Sequence, residues 1–240
     1  MKIDRVLMSC DDNPLYVDFW EPVSKVWTEK MGIVPILLYF GTGTPSEKYG
    51  EVVKFTEESK HPSYLKTLWS RYWYPSTCPN TVFCISDIDM IPLNKNYFTD
   101  TIESIPDTAY VNLVDHLPLP SCYHVAKGKL FKSVLELSDS FEESLDVVSA
   151  PDLSVGHPEF DFPHWGSDEV YATNMIISKF RSKTIDFRVV SRKPYEGRLD
   201  RSNWKYNAEN IRSGRYLDCH SIRPYITHQE EIDKLIELIP

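Results

Sequence analysis

The chain has 240 residues, 42% of them hydrophobic, and 26 Lys and Arg against 35 Asp and Glu give a formal net charge of −9. That length buries a core in one domain, while the acidic balance speaks against a general electrostatic grip on nucleic acid, which needs dense Lys and Arg to displace counterions. No stretch approaches the roughly 18–20 unbroken apolar residues of a membrane helix, and residues 1–9, interrupted by Asp4 and Arg5, lack the apolar core of a secretory signal.

Residues 2–9 read as a strand that ends in the polar turn Ser9-Cys10-Asp11-Asp12-Asn13-Pro14. Residues 15–31 carry apolar side chains at helical spacing (Phe19 and Trp20, Val23, Val26 and Trp27, Met31), and Gly32 stops that helix. Residues 33–40 return to strand and are followed by the turn Gly41-Thr42-Gly43-Thr44-Pro45. Such a β-α-β unit predicts parallel pairing with a right-handed crossover. Residues 52–55 suggest a short strand, and Pro62 opens a helix that runs to Tyr72 and is broken by Pro75. Residues 81–85 are a compact apolar strand leading into Ser86-Asp87-Ile88-Asp89 and then the apolar Met90-Ile91-Pro92-Leu93.

In the second half, 110–114 is a strand candidate, 129–137 a helix, 141–161 irregular, 170–180 a helix and 185–190 a strand. Residues 192–214 are polar and read as a long loop, and a short helix starts at Ile232. Strands alternating with helices indicate an α/β fold, a mixed and mostly parallel central sheet flanked by helices. We see no repeat and no linker, so residues 1–240 read as a single domain. Its two halves are residues 1–115 and 116–240. Ligands of such sheets sit at the carboxyl ends of the strands, where Ser9 to Asp12 and Asp87 to Asp89 both fall.

The five cysteines (Cys10, Cys78, Cys84, Cys122, Cys219) are odd in number and contain no C-x-x-C, which argues against a zinc module or a disulfide framework. Free thiols in a reducing, cytoplasmic compartment are the simpler reading.

Asp87-Ile88-Asp89 carries the most chemistry. Two carboxylates one residue apart, directly after a buried strand, can converge on one hard divalent cation such as Mn2+ or Mg2+, which prefers oxygen ligands and binds together with phosphates. Chance occurrence and simple turn formation compete with that reading, but a turn made only for solvent is rarely flanked by apolar runs on both sides. The run from Val82 to Leu93, with the preceding helix that carries Lys66 and Arg71, resembles the strand-D-x-D segment of GT-A glycosyltransferases, whose domain is Rossmann-like. That resemblance places Arg71 and Asp87 near a nucleotide-sugar donor, with Ser9 and Asp11 contacting its base or ribose.

Further landmarks follow in the order of that family. His164-Trp165-Gly166-Ser167-Asp168-Glu169 resembles its acidic motif at a helix start. In inverting members one such carboxylate deprotonates the acceptor hydroxyl. Asp168 is favoured and Glu169 is the alternative, although the same residues also make an ordinary helix N-terminus with Ser167 as cap. His220, in Asp218-Cys219-His220-Ser221-Ile222-Arg223, resembles the C-terminal histidine that completes a metal set with Asp87 and Asp89. Arg223 would meet the diphosphate. His228 competes for the histidine role, while His116, His124, His157 and His164 are weaker candidates. The segment 121–129 resembles one that approaches the donor sugar.

The resemblance implies a metal-dependent transfer of a sugar from a nucleoside-diphosphate donor, UDP before GDP, to a hydroxyl of a glycan or glycoconjugate, with inversion. Two alternatives stay open. A nucleotidyltransferase would carry a Gly-rich basic loop after the first strand, and residues 9–14 have no glycine. A non-catalytic scaffold on a transferase fold is the other. P-loop and G-x-G-x-x-G signatures are absent from the sequence.

Overall fold

The computed structural model describes residues 1–56, 58–153, 156, 162–192 and 197–240. In chain order its elements are β1 (Arg5–Cys10), α1 (Trp20–Lys25), β2 (Pro35–Tyr39), β3 (Glu51–Lys54), α2 (Ser63–Trp73), β4 (Val82–Ile85), β5 (Met90–Pro92), α3 (Lys95–Phe98), α4 (Asp100–Glu103), β6 (Ala109–Asn112), β7 (His124–Lys127), α5 (Gly128–Leu135), α6 (Phe141–Val148), α7 (Ser167–Arg181), β8 (Asp186–Val189), β9 (Gly197–Asp200), α8 (Ala208–Arg212), β10 (Tyr216–His220) and α9 (Tyr225–Glu237).

Among the described residues seven strands form one sheet, ordered β3-β2-β1-β4-β7-β6-β8. The pairs β3/β2, β2/β1, β1/β4 and β6/β8 are parallel, whereas β7 runs antiparallel to both β4 and β6. The sheet is mixed and mostly parallel, as the alternation of elements predicts.

Strand periodicity explains how both faces are covered, because successive side chains point to opposite sides. Val6, Met8, Leu37, Tyr39, Val82 and Cys84 enter one core, together with Trp20, Val23 and Trp27 of the first helical stretch. Leu7, Ile36, Leu38, Phe83 and Ile85 enter the other, with Leu65, Trp69 and Tyr72 of α2, Phe131 of α5 and Ile176 of α7. Each such side chain contributes on the order of 1.5–3 kcal/mol on burial, an upper figure since the unfolded chain already hides some of it. Gly32 ends the first helical stretch with φ of 75°, a left-handed turn that glycine adopts without strain. At Gly128 a Cβ would lie 2.0 Å from the Pro75 carbonyl oxygen, so only glycine lets α5 start against that turn.

Four expectations change. Residues 141–148 form α6 rather than irregular chain; Ser140 caps it by accepting from the Glu143 N–H. The stretch read as one loop over 192–214 contains β9 and α8. Helix α9 starts at Tyr225, earlier than Ile232, with a kink at His228. Ser167 does not cap α7: it is the first helical residue, and its hydroxyl donates to the Leu153 carbonyl at 2.9 Å.

A second sheet of three strands, β5-β10-β9, was not anticipated. Strand β10 runs antiparallel to β5 and parallel to β9. The turn Ser86 to Asp89 therefore leaves β4 of the large sheet and enters β5 of the small one.

Candidate functional site

Sheet register brings the site together. His220 pairs with Met90 across β10 and β5, and with Asp200 across β10 and β9. The Ser221 N–H then donates to the Asp89 carbonyl at 3.0 Å. Asp89, His220 and Asp200 thus meet at one end of the small sheet, next to the carboxyl end of β4. The base of that sheet is braced from within. Asp218 is buried and accepts from Arg198 Nε and Nη2, both at 3.0 Å, with Arg192 Nη2 at 3.5 Å. A forked guanidinium matches both carboxylate oxygens, which ties β9 to β10.

His220 Nδ1 lies 3.2 Å from Asp200 Oδ2. Burial penalises the Asp200 charge, but hydrogen bonds from Ser202 and the contact with His220 outweigh it and pull the carboxyl down to about 2. A carboxylate at Nδ1 selects the tautomer whose proton sits there, which turns the Nε2 lone pair outward. Metal-binding histidines are oriented by this kind of partner. His220 Nε2 is 3.9 Å from Asp89 Oδ2, close to the roughly 3–4 Å that separates neighbouring ligands of a divalent cation with bonds of about 2.2 Å. This pair fits a cation. Asp87 gives its Oδ1 to Arg71 Nη1 instead, although His220 stands near enough to help lower the Asp87 carboxyl. Among the described residues no group of three or more His, Cys, Asp and Glu side chains converges as a metal site.

The place between Asp89 and His220 is taken by an arginine that sequence reasoning missed. Arg201 Nη2 donates to Asp89 Oδ2 at 2.7 Å and to His220 Nε2. Arg223 Nη1 lies 3.9 Å from the same carboxylate oxygen. The Arg223 side chain packs over the Tyr16 ring, 5.0 Å from its centroid, and donates to the Tyr16 hydroxyl. Two cations therefore surround the 3% exposed Asp89.

Arg71 links this cluster to a second one. It is 3% exposed; Nη1 also donates to the Ser86 carbonyl at 3.2 Å, and Nη2 lies 4.0 Å from Asp168 Oδ2. Burial penalises the Asp87 charge, yet the Arg71 guanidinium holds that carboxyl below its usual range. Asp168 and Glu169 occupy the first turn of α7. Burial, and then the neighbouring Glu169 charge, push Asp168 well above the ordinary carboxylate range, with Arg71 opposing. Glu169 is also raised, by burial, although Ser121 offsets part of it by donating its N–H at 2.9 Å and its hydroxyl at 3.0 Å to Oε1. Asp168 is 1% exposed and its Oδ1 has no hydrogen-bond partner, while Glu169 is partly exposed.

Replacing Arg71 by Met leaves two carboxylates without their counter-charge. Breaking a buried pair from one side costs about 3–5 kcal/mol, but the Asp87 side chain is 36% exposed, so a smaller loss of about 1–3 kcal/mol is the expected result in urea denaturation; a loss below about 1 kcal/mol, the range of surface pairs, would mean that solvent already screens these groups.

Other expected site residues lie elsewhere or are engaged differently. The Ser9 hydroxyl donates to the Thr67 carbonyl at 2.6 Å, and Asp11 accepts from the Asn13 N–H at 3.0 Å. Both positions are at the end of β1, but these bonds serve the local turn and α2. His228 stands 3.8 Å from Glu231, His164 bonds the Ser167 hydroxyl at 3.1 Å, and His116 lies 3.3 Å from the Pro118 carbonyl. His124 is buried against Tyr72 and the Pro120 carbonyl; burial pushes its pKa down to about 3, so it stays neutral. His157 lies outside the described residues. An open groove of about 890 Å3 lies between α1, the 43–49 loop and α9, but its lining contains none of Asp87, Asp89, Asp168, Glu169 and His220. No described helix is long and apolar enough to cross a membrane, and all five cysteines are free thiols.

No family model and no curated protein sequence matches the chain. Solved structures to which it is similar include a glycosyltransferase involved in the glycosylation of the major capsid of PBCV-1, with a TM-score of 0.48 and 14% identity over 98% of this chain and 100% of that one. The bifunctional glycosyltransferase WbbM gives 0.49 and 9% identity over 93% of this chain and 46% of that one. The galactosyltransferase LgtC, in complex with donor and acceptor sugar analogues, gives 0.48 and 12% identity over 98% and 96%.

Proposed function

We propose that the chain is a metal-dependent glycosyltransferase that moves a sugar from a nucleoside-diphosphate donor, UDP before GDP, to a hydroxyl of a glycan or glycoconjugate. The observation that carries this reading is the register of the small sheet. It sets a carboxylate and an imidazole lone pair 3.9 Å apart, beside two arginines, at the carboxyl end of a parallel strand. A metal-held diphosphate uses that combination, and in a chain with net charge −9 two arginines at one place are the more telling.

Asp89 and His220 would hold Mn2+ or Mg2+, with Asp87 joining from its place beside Arg71. A cation bound there supplies Lewis-acid neutralisation of the leaving diphosphate. Arg223, backed by the Tyr16 ring, meets phosphate oxygens. Across Arg71, the Asp168 and Glu169 pair accepts the proton of the attacking hydroxyl. Glu169 is the member an acceptor can reach, since its Oε2 takes no hydrogen bond from the described residues; Asp168, the residue favoured on sequence, is enclosed at 1% exposure. Direct displacement by the hydroxyl inverts the anomeric carbon.

Calorimetric titration with UDP and GDP, with and without Mn2+, tests the donor half. The expected result is Mn2+-dependent binding of one nucleotide. Folded protein that binds neither would move the assignment to a non-catalytic scaffold.

A further inference from the structure

Arg201 occupies the position that a cation at Asp89 and His220 would need, and this placement is built rather than incidental. Its Nη2 reaches both groups. An arginine cannot give up its proton to make room, so a metal ion and this guanidinium exclude each other by charge and by volume. Asp200 couples the two ends of the arrangement. Its Oδ2 faces His220 Nδ1, while its Oδ1 accepts from the Ser202 N–H at 2.9 Å and the Ser202 hydroxyl at 2.6 Å. One carboxylate thereby aims the imidazole and pins the single turn Arg201–Asn203, so the backbone that carries the arginine is held where its side chain reaches Asp89.

The seat is also incomplete. Arg201 Nε and Nη1 are shielded from solvent and have no hydrogen-bond partner. A buried N–H without an acceptor is costly, so this arrangement leaves two donors of Arg201 that an acceptor elsewhere would satisfy.

We propose that Arg201 is an internal cation that holds the Asp89–His220 position closed, and that a divalent ion must displace it. The released guanidinium then has the phosphate oxygens of the donor as its acceptors. This rests on the metal-dependent reading above and adds to it a residue that sets metal affinity.

The test uses Mn2+ alone, followed by electron paramagnetic resonance and calorimetry on the full chain without nucleotide. Removing the competing charge, in Arg201→Met, is expected to tighten Mn2+ binding by about ten- to hundredfold. Arg201→Lys, which keeps a cation within reach, is expected to stay near the wild type. The gain should vanish in Arg201→Met combined with Asp89→Asn. Matched melting curves show that the variants are folded. Equal or weaker Mn2+ binding by Arg201→Met, with measurable binding by the wild type, overturns the competition while leaving the metal site in place. Absence of Mn2+ binding in both proteins overturns the competition and the metal site together.

Discussion

Asp89→Asn is expected to lower kcat/KM for sugar transfer by about 10²–10³-fold, the loss that follows removal of one group aimed at developing charge. Mn2+ dependence should disappear with it. The reason lies in how many groups share that carboxylate. Oδ2 is 2.7 Å from Arg201, 3.9 Å from His220 and 3.9 Å from Arg223. Asparagine keeps the volume and removes the charge, so the imidazole would lose the carboxylate proposed to share a cation with it, and two guanidinium groups are left without their counter-charge. Steady-state rates against Mn2+ concentration, with melting as a folding control, give the answer. A variant with unaltered metal dependence would remove Asp89 from the site. Asp87→Asn should behave differently: its carboxylate is bound to the enclosed Arg71, so stability as well as turnover should fall.

The large sheet was legible because its information is local. Val6 to Met8 and Ile36 to Leu38 are apolar on both faces of the pleat, and a helical period between them already implies a parallel pair. The position of Asp87 and Asp89 at the end of β4 followed from the apolar run before them. The small sheet was not legible, for a physical reason. Strand β5 has three residues, and its pairing with β10 joins Met90 to His220 across most of the chain, a contact with no local signature. Strand β9 misleads further: Gly197-Arg198-Leu199-Asp200 scores as loop on polarity, yet Arg198 is acceptable there because Asp218 on the next strand neutralises it. Reading 192–214 as loop hid Arg201 with it. The order Asp200-Arg201 inside an arginine-rich stretch was the available signal. Helix α6 was a different miss, since Phe141, Leu145 and Val148 do keep helical spacing behind Ser140.

The carboxylate pair on α7 should control the acid side of the pH profile. A base works only when deprotonated, and burial raises both groups above the ordinary carboxylate range. Activity is therefore expected to fall as pH drops, before exposed carboxylates become protonated. Glu169→Gln removes the group proposed as base and should lower kcat by about 10²–10⁴-fold, with the acid limb lost. In that variant Asp168 also loses the neighbouring charge that helps raise it, so it cannot reproduce the limb at its original position. Asp168→Asn should keep most of kcat if Glu169 is the base, whereas loss of the limb in Asp168→Asn alone would return the role to Asp168. Nearly full activity in both variants would remove the need for a base altogether and point to attack on the donor without one. Arg71 supplies an internal check, because its guanidinium lowers both carboxylates: in Arg71→Met any remaining limb must shift to higher pH, and a shift the other way would place the titrating group outside this pair.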